Sequence, residues 1–104
     1  MKILKPGHKY ELGNFEHREK PGQKIQFIEK KAGLDYPGIL KTVKDGTTNE
    51  EVIEMLIDRM EYLQRMCSCT ENDYVIMKLK EALYWLHERT INRISRGVEG
   101  KPEI

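Results

Sequence analysis

Between Gly46 and Gly97 the chain runs for fifty consecutive residues without glycine or proline, although its 104 residues include eight glycines and four prolines. Those two residue types are the strongest local punctuators of secondary structure, so a stretch that lacks both is free to form long helices. Six of the glycines and three of the prolines precede Thr47, among strand-forming residues. The chain therefore reads as two halves with different periods, within the length of one small domain.

The helical half has clear boundaries. Thr48 followed by Glu51 is a capping box, and Asp45-Gly46 is the turn that precedes it. Val52, Leu56, Met60, Leu63 and Cys67 then recur at spacings of 4, 4, 3 and 4, one apolar stripe on a helix of about five turns. Ile53, Ile57 and Met66 widen that stripe, and the helix is expected to end around Ser68–Cys69. Thr70 with Asp73 offers a second Thr-x-x-acid start. Val75/Ile76, Leu79, Ala82/Leu83 and Leu86 carry a second stripe, and Gly97 is a natural stop. Residues 73–96, if continuous, span about 36 Å at ~1.5 Å per residue. Two long helices joined by so few residues form an antiparallel hairpin.

In the first half, Lys9–Leu12 with Phe15-Glu16, then Gln23–Glu29, read as two short runs around the polar turn Arg18–Gly22, an antiparallel hairpin. Lys30 to Gly38 reads as a loop, and Ile39–Val43 as a third short strand. The expected fold is thus α+β: a small N-terminal antiparallel β-sheet followed by a C-terminal antiparallel helical hairpin. The chain is read as a single domain, with residues 1–46 as the sheet region, 47–98 as the hairpin and 99–104 as a tail.

The second helix is apolar on more than one side. Tyr74, Val75, Ile76, Met77, Leu79, Ala82, Leu83, Tyr84, Trp85 and Leu86 cover more circumference than one partner helix hides. A chain this short buries only roughly 60–70% of its unfolded surface. A second copy is the economical cover for Tyr84 or Trp85, so homodimerisation through the hairpin is expected.

Composition narrows the function classes. Eighteen Lys plus Arg against seventeen Asp plus Glu leave a formal charge of +1, which argues against a generic duplex-binding protein, and no DNA partner is expected. No run of about 18 apolar residues exists to span a membrane. The N-terminus, Met1 to Gly7, lacks the apolar stretch of a signal peptide, so a cytoplasmic protein is expected. Cys67 and Cys69 sit too close in sequence to staple a fold; they read as two reduced thiols at a helix end, since zinc would need two further ligands. There is no Gly-rich phosphate loop, no nucleophile triad and no H-E-x-x-H, so neither enzyme activity nor a cofactor is expected. His87-Glu88 and Lys30-Lys31 read as solvated surface.

The most specific feature is Arg89, Arg93 and Arg96, at spacings of 4 and 3 on one helical face. Cations near a helix C-terminus favour the macrodipole, which accounts for one or two arginines better than for three. Arginine suits bidentate phosphate recognition, so an anion site is expected here. Tyr62, off the first stripe, reads as a half-buried core tyrosine, and Asn72 as an alternative N-cap. Neither would be singled out alone.

Several segments together resemble a known family. They are Gln23-x-Ile25-Gln26-Phe27-Ile28-Glu29, then Asp45-Gly46-Thr47-Thr48-Asn49-Glu50-Glu51-Val52, then Ile57-Asp58-Arg59. The pattern closes with Lys80-Glu81-Ala82-Leu83-x-Trp85-Leu86-x-x-Arg89-Thr90 running into Arg96-Gly97-Val98-Glu99-Gly100. The chain resembles the phage Thoeris anti-defence family of nucleotide sponges, whose helical hairpin is similar to that of the phage anti-CBASS sponges. The resemblance covers nearly the whole chain and implies a non-catalytic protein that assembles as dimers or as hexamers, trimers of dimers. It further implies sequestration, in the cytoplasm of the infected bacterium, of cyclic ADP-ribose isomers such as glycocyclic ADP-ribose made by TIR-domain enzymes, in pockets at the dimer interface. Some members also bind cyclic di- or trinucleotides at a separate site. Carried over by position, the family's stacking aromatic falls on Tyr62, where phenylalanine is usual, its polar residue on Asn72, and its ligand arginines on Arg89 and Arg93. Arg96 is an additional anion contact on spacing alone. The alternatives are a small regulator that binds nucleic acid through the three arginines, or one that docks a host protein on its aromatic helix face.

Overall fold

The computed structural model describes residues 1–32 and 39–97. Strands β1 (Lys2–Lys5), β2 (Lys9–Leu12) and β3 (Gln23–Gln26) form one antiparallel sheet in the order β1-β2-β3. Strands β4 (Glu29–Ala32) and β5 (Leu40–Lys44) form a separate antiparallel ribbon. Helices α1 (Asn49–Met66) and α2 (Thr70–Ser95) complete the α+β fold as a hairpin. The chain divides into two compact units, one of strands ending at Thr48 and one of helices starting at Asn49.

The expected hairpin is β2–β3, with Leu12 opposite Gln23 and Tyr10 opposite Ile25. Its connection is longer than the sequence suggested. Phe15 and Glu16 are not strand but part of the loop 13–22, where the Asn14 side-chain amide donates to the Pro21 carbonyl at 3.1 Å. The first strand, β1, had no counterpart in the sequence reading. It enters the sheet through Pro6-Gly7: the His8 N–H donates to the Lys5 carbonyl (3.0 Å) and Gly7 sits at φ 79. Proline followed by a positive-φ glycine is the signature of a type II turn.

The run Gln23–Glu29, expected to be one strand, breaks after Gln26. The Gln26 side-chain amide donates to the Phe27 carbonyl at 2.7 Å, and the Ile28 N–H donates to the Thr47 carbonyl at 2.9 Å. Backbone pairing therefore passes from β2 to Thr47, and the chain starts a new strand. Lys30–Ala32, expected in a loop, belongs to β4; residues 33–38 of that loop lie outside the described residues. The third strand, expected at 39–43, is found one residue further on as β5, and it pairs with β4 rather than with the hairpin. One expected sheet is thus two.

Glu29 joins the two. It begins β4, is buried, and accepts hydrogen bonds from Lys5 Nζ of β1 on both carboxylate oxygens at 2.7 Å. That bond from Lys5 holds the carboxyl below its usual value of 4.5 against the opposing effect of burial, with His8 and Lys31 adding attraction. A carboxyl lowered on folding stabilises fully above its unfolded pKa and loses that contribution as pH falls through the folded value. Amide protection in β1 and β4 is therefore expected to fall below about pH 4.5. In Lys5→Met the burial of Glu29 is left without its main compensation, so the protein should lose stability at neutral pH and this acid-dependent loss should shrink or reverse; hydrogen exchange across an acid titration measures both.

α1 spans 18 residues, the expected five turns, and begins directly after Thr48. α2 spans 26 residues, about 39 Å at 1.5 Å per residue, and starts at Thr70, the residue expected to cap it. Thr70 is its first residue rather than its cap; Cys69 holds the N-cap position in extended conformation with no side-chain cap bond. Asp73 turns instead to Gln64 of α1, whose amide donates to its carboxylate at 2.8 Å. Gln64 also donates to the Cys69 carbonyl (2.9 Å) and accepts from the Cys69 N–H (3.1 Å). One side chain thereby fixes the Cys67–Cys69 connection. Gly97, at φ 70, ends the helix as expected, donating to the Ile94 carbonyl at 3.0 Å. The expected tail, 99–104, lies outside the described residues.

Replacing Gln64 by Ala removes three hydrogen bonds in a partly solvated setting, each worth about 0.5–1.5 kcal/mol net. Gln64→Ala should lower unfolding stability by about 1–2 kcal/mol, read from denaturant unfolding by circular dichroism.

Candidate functional site on the helical hairpin

The apolar residues of the hairpin set the surroundings of any site. Among the described residues no hydrophobic side chain is buried. The α1 stripe at Val52, Met60 and Leu63 is half-buried in the seam with α2, while Tyr84, Trp85, Ile91 and Ile94 are more than half exposed. Tyr84 and Trp85 pack only edge-to-face on each other, with ring centroids 5.1 Å apart. Exposed apolar and aromatic side chains thus accompany the arginines on α2.

Arg89 and Arg93 lie one turn apart within α2, and Arg96 occupies its C-cap. Their environments differ sharply. Arg93 is buried, the one buried residue among those described in the helical unit, whereas Arg89 and Arg96 are exposed. A guanidinium is withdrawn from water only at a cost, so Arg93 is held in place by the fold. Arg89 projects into solvent beside it. One fixed and one adaptable guanidinium within a turn of each other suit a phosphoryl group, which accepts bidentate bonds.

Tyr62 and Asn72 are elsewhere. Tyr62 is half exposed on α1, and Asn72 half-buried in the first turn of α2. Two interhelical contacts fix the level of Tyr62 along the hairpin: Gln64 reaches Asp73, and Glu61 pairs with Lys80 at 3.5 Å. Tyr62 therefore sits level with α2 between Asp73 and Lys80. Asn72 and Arg89 are seventeen positions apart on unbroken helix, about 25 Å along the axis. Within one chain Asn72 and Arg89 lie toward opposite ends of the hairpin, with Tyr62 at a level between them.

A shallow depression of about 400 Å³ at the Tyr62 end is lined by Glu61, Gln64, Arg65, Ser68 and Ile76, none of them among the expected site residues. Gln64 is the residue that sequence reasoning passed over here. A glutamine that follows one residue after Leu63 of the stripe gave no signal, because its role depends on the connection it closes. Cys67 and Cys69 are free and exposed, and the surface readings of His87 and of Lys30-Lys31 agree with their exposure. No helix among the described residues is long and apolar enough to cross a membrane.

No protein-family model matches the chain. The chain is similar to a curated protein of Bacillus phage SBSphiJ7 named "Thoeris anti-defense 1", 42% identical over 81 residues. That similarity covers 66% of this chain and 57% of the phage protein.

Proposed function

Because this chain belongs to the phage Thoeris anti-defence family, we propose that it acts as a sponge: it binds and holds, without cleaving, the cyclic ADP-ribose isomer that a bacterial TIR enzyme makes as its alarm signal. It would do so in the cytoplasm of the infected host. The observation that carries the proposal is the division of Asn72 from Arg89 by about 25 Å of helix, with Tyr62 on the Asn72 side of the gap. A nucleotide-sized ligand cannot bridge that gap within one chain. Two hairpins laid antiparallel through the exposed Tyr84–Trp85 face bring the Tyr62 end of one copy to the Arg89 end of the other. Twofold symmetry then creates the pocket twice. Tyr62 stacks on the adenine, Asn72 hydrogen-bonds, and Arg89 with Arg93 holds the pyrophosphate.

Magnitudes favour such a shared pocket. Two arginine–phosphate contacts at about 1.5–3 kcal/mol each supply about 3–6 kcal/mol. One stacked base adds about 1–3 kcal/mol. Nanomolar retention needs about 12 kcal/mol net, so a single hairpin face falls short before association costs. Enclosure between two copies adds contacts and excludes water from the charged pairs.

Three measurements follow from this reading. The protein is purified from cells expressing an active TIR enzyme, heat-denatured, and its released small molecules weighed by mass spectrometry. An intact cyclic ADP-ribose mass that is absent from Arg89→Ala is expected; a cleaved product would mean catalysis. Arg89→Ala and Arg93→Ala should each abolish tight binding while the oligomer persists in sedimentation, with Arg93→Lys as the milder variant because Arg93 is buried. Finally, co-expressed Tyr62→Ala and Arg89→Ala chains should recover binding at one of the two pockets of each mixed dimer, about a quarter of all sites on random assembly. No recovery in a mixed dimer would place all four residues in a single chain.

A dimer of this kind also requires its apolar face. Trp85→Glu should give a monomer at micromolar concentration with weakened ligand retention, and a dimer that persists in Trp85→Glu would remove this interface.

A further inference from the structure

The β unit carries a second concave site that owes nothing to the helical one. A cleft of about 350 Å³ lies against the loop 13–22 and the edge of β1–β2, lined in part by Lys2, Glu11, Arg18, Glu19 and Lys20. Its size falls at the lower end of small-molecule sites, roughly 300–1,000 Å³. The loop that forms it is fixed by its own hydrogen bonds. Asn14 donates to the carbonyls of His17 (3.4 Å) and Pro21 (3.1 Å), and the Gln23 amide on β3 donates to Asn14 at 2.8 Å. The Lys20 N–H donates to the His17 carbonyl at 3.1 Å. A loop tied down in this way holds its backbone in place, so binding leaves only the Arg18 and Lys20 side chains to be ordered.

The charges of the cleft are unevenly satisfied. Glu11 has Lys2 at 3.9 Å, and Glu19 has only His17 at 3.5 Å, an ion pair solely when that imidazole is protonated. Arg18 and Lys20 have no hydrogen bond or ion pair from their side chains among the described residues. The surroundings add to this surplus. Residues 1–48 hold ten Lys plus Arg against six Asp plus Glu, a net +4 that the overall +1 conceals. A cleft with two uncommitted cations inside a positive unit attracts anions.

We propose that this cleft binds a small molecule through a dianionic phosphoryl group held by Arg18 and Lys20. The guanidinium offers a fork to two phosphoryl oxygens and the ammonium a point charge to the third, so the two cations match a phosphate monoester dianion better than a carboxylate. The cleft leaves room beyond the phosphoryl group for an attached sugar or base.

Phosphorus NMR line broadening on the full chain tests this, with inorganic phosphate, ribose 5-phosphate and adenosine monophosphate as probes and acetate as competitor. Saturable broadening is expected above the second phosphate pKa of about 6, fading below it. Arg18→Gln and Lys20→Gln should each weaken binding about tenfold or more, with folding checked by circular dichroism. Lys24→Gln removes the same charge from the same unit and should leave affinity within about twofold. The titrations are repeated in an Arg89→Ala background, which removes the helical arginine site, and the Arg18 and Lys20 losses should persist there. Equal losses in Lys24→Gln would reduce the effect to the field of the unit and overturn the site. So would an absence of saturation, or acetate competing as well as phosphate.

Discussion

A two-helix hairpin has one internal seam, and the apolar residues of α2 extend well beyond it. That mismatch governs the helical unit. Val52, Met60 and Leu63 settle into the seam, but Tyr74, Tyr84, Trp85, Ile91 and Ile94 remain outside, and no hydrophobic side chain is buried among the described residues. Each large side chain left in water forfeits about 1.5–3 kcal/mol of burial. A chain that encodes so much uncovered apolar surface is stable in proportion to what covers it. In the proposed dimer, ligand site and assembly are linked: a face covered by a second copy is also a place where a pocket can be built from two.

The same economy explains the buried arginine. Arg93 is the described residue of the hairpin most removed from solvent, yet it lies in the last turns of α2, where a helix C-terminus favours cations by about 0.3–1 kcal/mol. The macrodipole eases the withdrawal of its charge from water. Arg89, a turn earlier and exposed, keeps its freedom. A pair with one fixed and one mobile member is well adapted to ligand capture, because only one side chain loses entropy on binding.

Much of the hairpin was legible in the sequence because its signals are local and periodic: the glycine- and proline-free stretch, the stripe on α1, the Gly97 stop. The cap of α2 was read one residue late, because Thr70 and Asp73 imitate a capping box and the competing partner of Asp73, Gln64, lies on the other helix. The strands were read less well for a related reason. Four-residue strands carry too few alternations to fix where one ends, and the break after Gln26 depends on backbone pairing with Thr47, twenty-one residues away. The pairing of β4 with β5 was equally invisible, since β4 is mostly charged and lacks an apolar face.

Site residues divide in the same manner. Arg89, Arg93 and Arg96 announce themselves through spacing, but spacing along one helix cannot report that Arg93 is buried and Arg89 exposed. Tyr62 and Asn72 emerge only through family resemblance, because each has an ordinary structural role available to it. Net charge misled in its own way. Averaged over the chain it is +1, yet the β unit is +4 and the helical unit correspondingly acidic, with eight basic residues against eleven acidic ones. Screening acts over about 8–10 Å at physiological salt, so a ligand at either unit experiences the local charge and not the sum. The two candidate anion sites therefore differ in kind. At the β unit a positive field assists two flexible side chains, whereas the arginines of α2 work against an acidic background, which is the reason the proposed pocket encloses them with a second copy.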